Sequence, residues 1–236
     1  AGHGYTVPKD GFGYRGVRLK PTPGGETTVK VERESIARRI GRLTGSGLFA
    51  ESKKCGLMPN WEDSGVIGCD SVQTTIYGGR VFWAWGDTSL PGYPLGIFHT
   101  TAATTALSPK FPAEPPLQVV FDLFREPGGK PRGVAKLPGE GPTWISGTLT
   151  LKDKNGQERL CTVYNKIKPP LDAYERGLSV WNDEKGEFER ALTVWEKSSG
   201  KPSPLLPDGH PIFWKEEKTG TEWVLFGDPL PRLKCR

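Results

Sequence analysis

Three stretches of this 236-residue chain share one plan: an alternating apolar segment, a glycine-containing turn, and a second alternating segment running back. Residues 65–88 read GVIGCDSVQTTIYGGRVFWAWGDT and turn on Gly78-Gly79. Residues 143–166 read TWISGTLTLKDKNGQERLCTVYNK and turn on Asn155-Gly156. Residues 210–229 read HPIFWKEEKTGTEWVLFGDP and turn near Thr219-Gly220. A period of two places alternate side chains on opposite faces of a strand, and Gly-Gly or Asn-Gly between two such segments is a strong local hairpin signal. The second unit goes on through YERGLSVWND, a turn at EKGE, and FERALTVWEK, which makes four strands in succession. In the first unit, GIFHTTAATTAL (96–107) supplies a third strand.

Four antiparallel strands that recur at a steady spacing predict an all-β chain of β-propeller type, each unit being one blade. A sandwich assembled from the same hairpins is the other architecture this pattern allows. Propellers close with about four to eight blades, and residues 65–236 hold about two and a half. The remaining blades are therefore expected on a second polypeptide or on a longer natural protein, because a partial ring leaves strand edges open. Residues 1–64 read as an N-terminal extension: a Gly/Pro-rich arm, a strand over 27–33, and a short helix over 34–45. In that helix Ile36, Ile40 and Leu43 share one face, with Ser35 and Gly45 as the end signals.

Composition narrows the function. The 32 basic and 27 acidic residues are intermixed, giving a net charge of +5. The densest basic run, ARRIGR (37–42), is too short to argue for a nucleic-acid partner. There is no phosphate-binding loop and no zinc-finger spacing. No apolar run approaches the roughly 18 residues of a membrane span, and the mean hydropathy is −0.48. The four cysteines, Cys55, Cys69, Cys161 and Cys235, are too far apart for a structural zinc site and permit one or two disulfides. The chain begins at Ala1, which fits a removed leader and a secreted or periplasmic location.

GCDSVQTTIYGGRVFWAWGDT resembles the first blade of five-bladed propeller proteins related to glycoside hydrolases, the arabinanase-like and neoagarobiose-hydrolase-like families. RLTGSGLF, GCDS, WGDT and YPLGIFHTTAAT are similar to a group of secreted bacterial proteins with no assigned activity. The resemblance is strongest over 65–107 and becomes a matter of blade rhythm over 142–228. It implies a polysaccharide or oligosaccharide ligand and, at the bottom of a central funnel, an aspartate acting as base or nucleophile. By position that aspartate is Asp70. The second unit opens on TWISG, which lacks the carboxylate that such enzymes carry there; the third opens on GHPIF and offers His210. No cofactor is implied, though the central channel leaves room for a Ca2+ or Na+ ion.

Glycoside hydrolysis uses two carboxylates about 5 to 10 Å apart, one protonated and one ionised. Asp70 begins an innermost strand, and Asp87 ends the strand that runs back beside it, so antiparallel pairing predicts that the two meet. Against a catalytic Asp87, Thr88 suits a capped turn, and FGDP repeats the ending at Asp228 as a structural feature would. Glu175 in YERG is a third candidate, with Arg176 as its expected ion-pair partner. Trp85, Trp144 and Trp214 are the candidate sugar platforms, although most of the five strand tryptophans (these three with Trp83 and Trp223) are expected in the core, and His99 is expected to pack. The competing function is a non-catalytic propeller that uses the same funnel for carbohydrate binding or protein assembly.

Overall fold

The computed structural model describes residues 22–28, 65–90, 93–107, 119–206, 208–227 and 233–234, with the single positions 30, 44 and 56. The expected helix and most of the expected strand over 27–33 lie outside the described residues, as do Cys55, Cys235 and Asp228. The described chain is all-β and antiparallel. Strands β2 (Gln73–Tyr77), β3 (Arg80–Trp85), β6 (Thr101–Ala106) and β7 (Asp122–Leu123) form one four-stranded sheet. Strands β8 (Thr143–Lys152), β9 (Glu158–Lys168), β10 (Asp172–Asn182) and β11 (Glu187–Glu196) form a four-stranded meander. Strands β12 (Ile212–Lys215), β13 (Glu222–Gly227) and β14 (Leu233–Lys234) form a third sheet. A fourth, small sheet orders β4 (Thr88–Leu90) between β1 (Gly68–Cys69) and β5 (Tyr93–Ile97).

All three predicted hairpins are present, and their turns show why. Gly78 and Gly79 take φ of 56° and 71°, the left-handed pair that a tight turn between twisted strands requires. The Asn155-Gly156 turn is wider: Lys152 pairs with Glu158, and the Asp153 carboxylate accepts the amides of Asn155 and Gln157. The expected third strand over 96–107 is instead divided. Residues 93–97 pair with β4, and 101–106 pair with β3. The break falls at Thr100, a β-branched residue held at φ 52°, which turns the chain out of one sheet and into the other.

Alternation in β3 separates two cores. Phe82 and Ala84 point into the space between the first sheet and the meander, where Phe82 meets Trp181 edge-on at 5.0 Å and Phe188 at 6.1 Å. Trp83 and Trp85 point the other way, stacking at 6.5 Å with Phe121 against both. The first strands of the two large sheets also touch. Thr150 donates to the Ile76 carbonyl at 2.7 Å, and the Thr75 and Thr150 hydroxyls are 3.4 Å apart. The lead-in to β12 joins them, because the Gly147 amide donates to the Gly209 carbonyl at 3.0 Å and His210 Nε2 meets the Val72 carbonyl. The leading ends of all three units therefore converge.

Candidate functional site

A cleft of about 720 Å³ lies at this convergence. The residues that follow β1 and β3 supply Asp70, Ser71, Gly86 and Asp87, and β2 supplies Gln73; β8 and β9 supply Trp144, Ile145, Ser146 and Asn165; the approach to β12 supplies Asp208, Gly209 and His210. Of the residues singled out from sequence, Asp70, Asp87, Trp144 and His210 meet here.

Asp70 and Asp87 are locked together through the backbone. The Asp70 amide donates to the Asp87 carbonyl at 3.1 Å, and the Asp87 amide donates to Asp70 Oδ1 at 2.9 Å. Gly86 is what permits this approach, since a Cβ built there would stand 2.3 Å from Asp70 Oδ1. Both aspartates remain on the open surface of the cleft. Burial, and secondly the Asp70 charge, hold the Asp87 carboxyl above the ordinary range. A shift of this kind favours the protonated acid, as expected when two carboxylates share a site. Thr88 does cap the turn, its hydroxyl donating to the Gly86 carbonyl at 3.0 Å and lying 2.6 Å from the Thr101 hydroxyl. The cap uses the threonine and leaves the Asp87 carboxyl on the cleft.

The place where the second unit lacks a carboxylate is filled from the third. Ser146 of β8 donates to Asp208 Oδ1, which also accepts the Gly209 amide at 2.8 Å. Asp208 was not legible as a site residue, because a carboxylate in a PDGHP linker reads as a turn former. His210, two residues on, contacts a carbonyl, so Nε2 carries the proton in that contact. Asn165 completes the wall; its Oδ1 accepts from Arg176 Nε at 2.6 Å. Backbone strain concentrates here as well. Ser71 (φ 47°) and Thr100 (φ 52°), the non-glycine residues with left-handed φ among those described, both line the cleft. Such strain persists only where surrounding structure over-determines it, which is common at binding sites.

The other candidates lie elsewhere. Glu175 sits on the opposite face of the meander and pairs with Arg190 at 2.8 Å, not with Arg176; Tyr164 donates to the same carboxylate oxygen at 2.6 Å. That network belongs to the packing of the meander, together with Lys166. The Lys166 ammonium is buried and donates to the carbonyls of Leu137, Gly139 and Gly141, fixing the segment that leads into Trp144. Trp85 is 1% exposed in the second core and offers no face to a ligand. Trp214 is 49% exposed on the β12–β13 hairpin, across from Trp223 and away from the cleft lining. His99 is half-buried outside the lining, with burial and the charges of Lys166 and Lys136 pushing its pKa down.

Among the described residues, no group of three or more His, Cys, Asp and Glu side chains is placed to hold a metal ion. Among the same residues, no helix is long and apolar enough to cross a membrane. No family model, no curated protein and no solved structure matches this chain.

Proposed function

We propose that the sheets are blades of a propeller-type ring and that the cleft at their inner ends binds a polysaccharide chain. The observation that carries this reading is the cleft itself. It combines an aromatic ring (Trp144), paired carboxylates (Asp70 and Asp87) and neutral hydrogen-bonding groups (Gln73, Ser146 and Asn165) in one open groove. Sugars present an apolar ring face and a rim of hydroxyls, and that mixture of stacking surface and fixed acceptors suits them. The blade reading is supported by the convergence of the leading strands, which in a propeller surround the axis.

Affinity electrophoresis through gels that contain neutral or acidic plant and algal polysaccharides tests the proposal. Retardation of the wild type by at least one of them, and its loss in Trp144→Ala, is the expected result. Unretarded migration in every gel refutes the reading.

The pairing of Asp70 and Asp87 on one open cleft favours a second step, hydrolysis of the bound glycan. Asp87 then serves as the acid that protonates the leaving oxygen, and Asp70 as the second carboxyl group of the pair. Release of reducing ends by the wild type, abolished in Asp87→Asn while gel retardation persists, is the expected outcome. Retardation without reducing ends leaves a non-catalytic binding module.

A further inference from the structure

We infer that the cleft selects sugars by charge, accepting neutral and amino sugars and rejecting uronic acids. This rests on the carbohydrate reading above and narrows it to a ligand class. Three carboxyl groups, those of Asp70, Asp87 and Asp208, reach the lining from two separate parts of the chain, and among the described residues no lysine or arginine lines the cleft with them. The sign is local, because the whole chain carries +5. A polyanion is drawn toward the molecule at long range and then meets like charge at the site.

The nearby cations are tied down by partners of their own. In register across the meander, Trp144 pairs with Asn165 and Asn165 with Arg176, so the three form a row on one face. Arg176 is tied at the far end of that row. Its Nη1 donates to Ser203 Oγ at 3.0 Å and to the Pro204 carbonyl at 3.2 Å, and its Nε donates to Asn165. Asn165 therefore has its oxygen engaged and its amide NH2 available, so the neutral amide stands at the wall where a guanidinium would otherwise stand. Lys166, the next residue, has its ammonium held by three carbonyls near 137–141. A sugar hydroxyl or ammonium finds acceptors in Asp70, Asp87 and Asp208, whereas a sugar carboxylate finds neutral donors, such as the Gln73 and Asn165 amides, beside three carboxyl groups and no lysine or arginine among the described lining residues.

The test uses probes that differ only in charge, which removes the glycosidic linkage from the comparison. Glucosamine, glucose and glucuronate, and the matching galactosamine, galactose and galacturonate, are titrated against the full chain by ligand-observed NMR at low and high salt. In whichever series binds, the expected order is amino sugar, neutral sugar, uronate, with the uronate at least about tenfold weaker than the amino sugar at low salt. High salt should narrow the gap, because screening weakens both attraction and repulsion. Asp208→Asn should narrow it too, since the amide keeps an acceptor for Ser146 and Gly209 while removing one charge. A uronate that binds as tightly as its neutral partner overturns the charge inference and leaves the carbohydrate reading standing. Absence of binding by all six sugars overturns both.

Discussion

The Asp70–Asp87 pair shows how one local arrangement serves two ends. Asp70 Oδ1 accepts the Asp87 amide, which fixes the corner, and the charge it carries there also raises the carboxyl of Asp87. Burial is the larger cause of that rise, so removing the Asp70 charge should undo only part of it. In Asp70→Asn, the Asp87 midpoint followed by carboxyl 13C NMR is expected to fall and to stop above the ordinary aspartate value of about 3.9. A return all the way to that value would mean that burial contributes nothing. The linkage has a definite sign. A carboxyl raised in the folded state favours folding while it is protonated, and this contribution is lost as pH climbs through the folded pKa. Asp87→Asn should therefore match the wild type in thermal stability at pH 3 and equal or slightly exceed it at pH 7. Asp87 is largely solvated, so the gain is at most a few tenths of a kcal/mol.

At the scale of the element, hairpins were legible because turn chemistry is local. Gly78-Gly79 has one comfortable conformation between two strands, and both residues adopt it. What sequence could not show depends on pairings between distant segments. Thr100 gives no warning that it will take a left-handed φ, so the break between β5 and β6 was invisible. The partner of Glu175 was misplaced because adjacent residues on a strand face opposite ways: Arg176 points toward the cleft side, and Arg190 arrives from β11. Trp85 and Trp144 read alike as strand tryptophans, and only sheet packing sends one to the core and the other to the cleft. Gly177 marks the irregularity that makes room in β10. A Cβ there would stand 2.0 Å from the Leu192 carbonyl and 2.8 Å from the Tyr164 ring, beside the register shift between Arg176 and Gly177. Gly177→Ala should thus force the strands apart and cost about 2 kcal/mol or more. An alanine at Gly156, where nothing lies within 4 Å but φ is 79°, should cost about 1 kcal/mol from backbone strain alone. Urea unfolding of the two variants, compared at equal m-value, checks the order.

Across the molecule, cover is uneven. The first sheet and the meander share a core of Phe82, Trp181 and Phe188, and together they hold most of the buried apolar side chains described. The third sheet is different. Every residue of β12 is exposed, and Ile212, Phe213, Trp214 and Trp223 stand 63%, 58%, 49% and 41% open. Cross-strand pairing of Trp214 with Trp223 and of Phe213 with Val224 holds the hairpin together, while burial adds little. A hairpin extended only by the two-residue strand β14 is little better than an isolated hairpin, which is marginal in water, and opening free energies follow local burial. Native-state hydrogen exchange should therefore show β12 and β13 opening by local fluctuation, with exchange orders of magnitude faster than at Leu160, Val163 and Tyr164 in β9. Because the Gly209 carbonyl accepts the Gly147 amide and Asp208 holds Ser146, that opening would also loosen one wall of the cleft. Under the carbohydrate-binding proposal, a glycan in the cleft should slow exchange in β12 and β13 more than in β9. Equal protection of the two regions in the free chain would mean that the third sheet is covered as well as the meander.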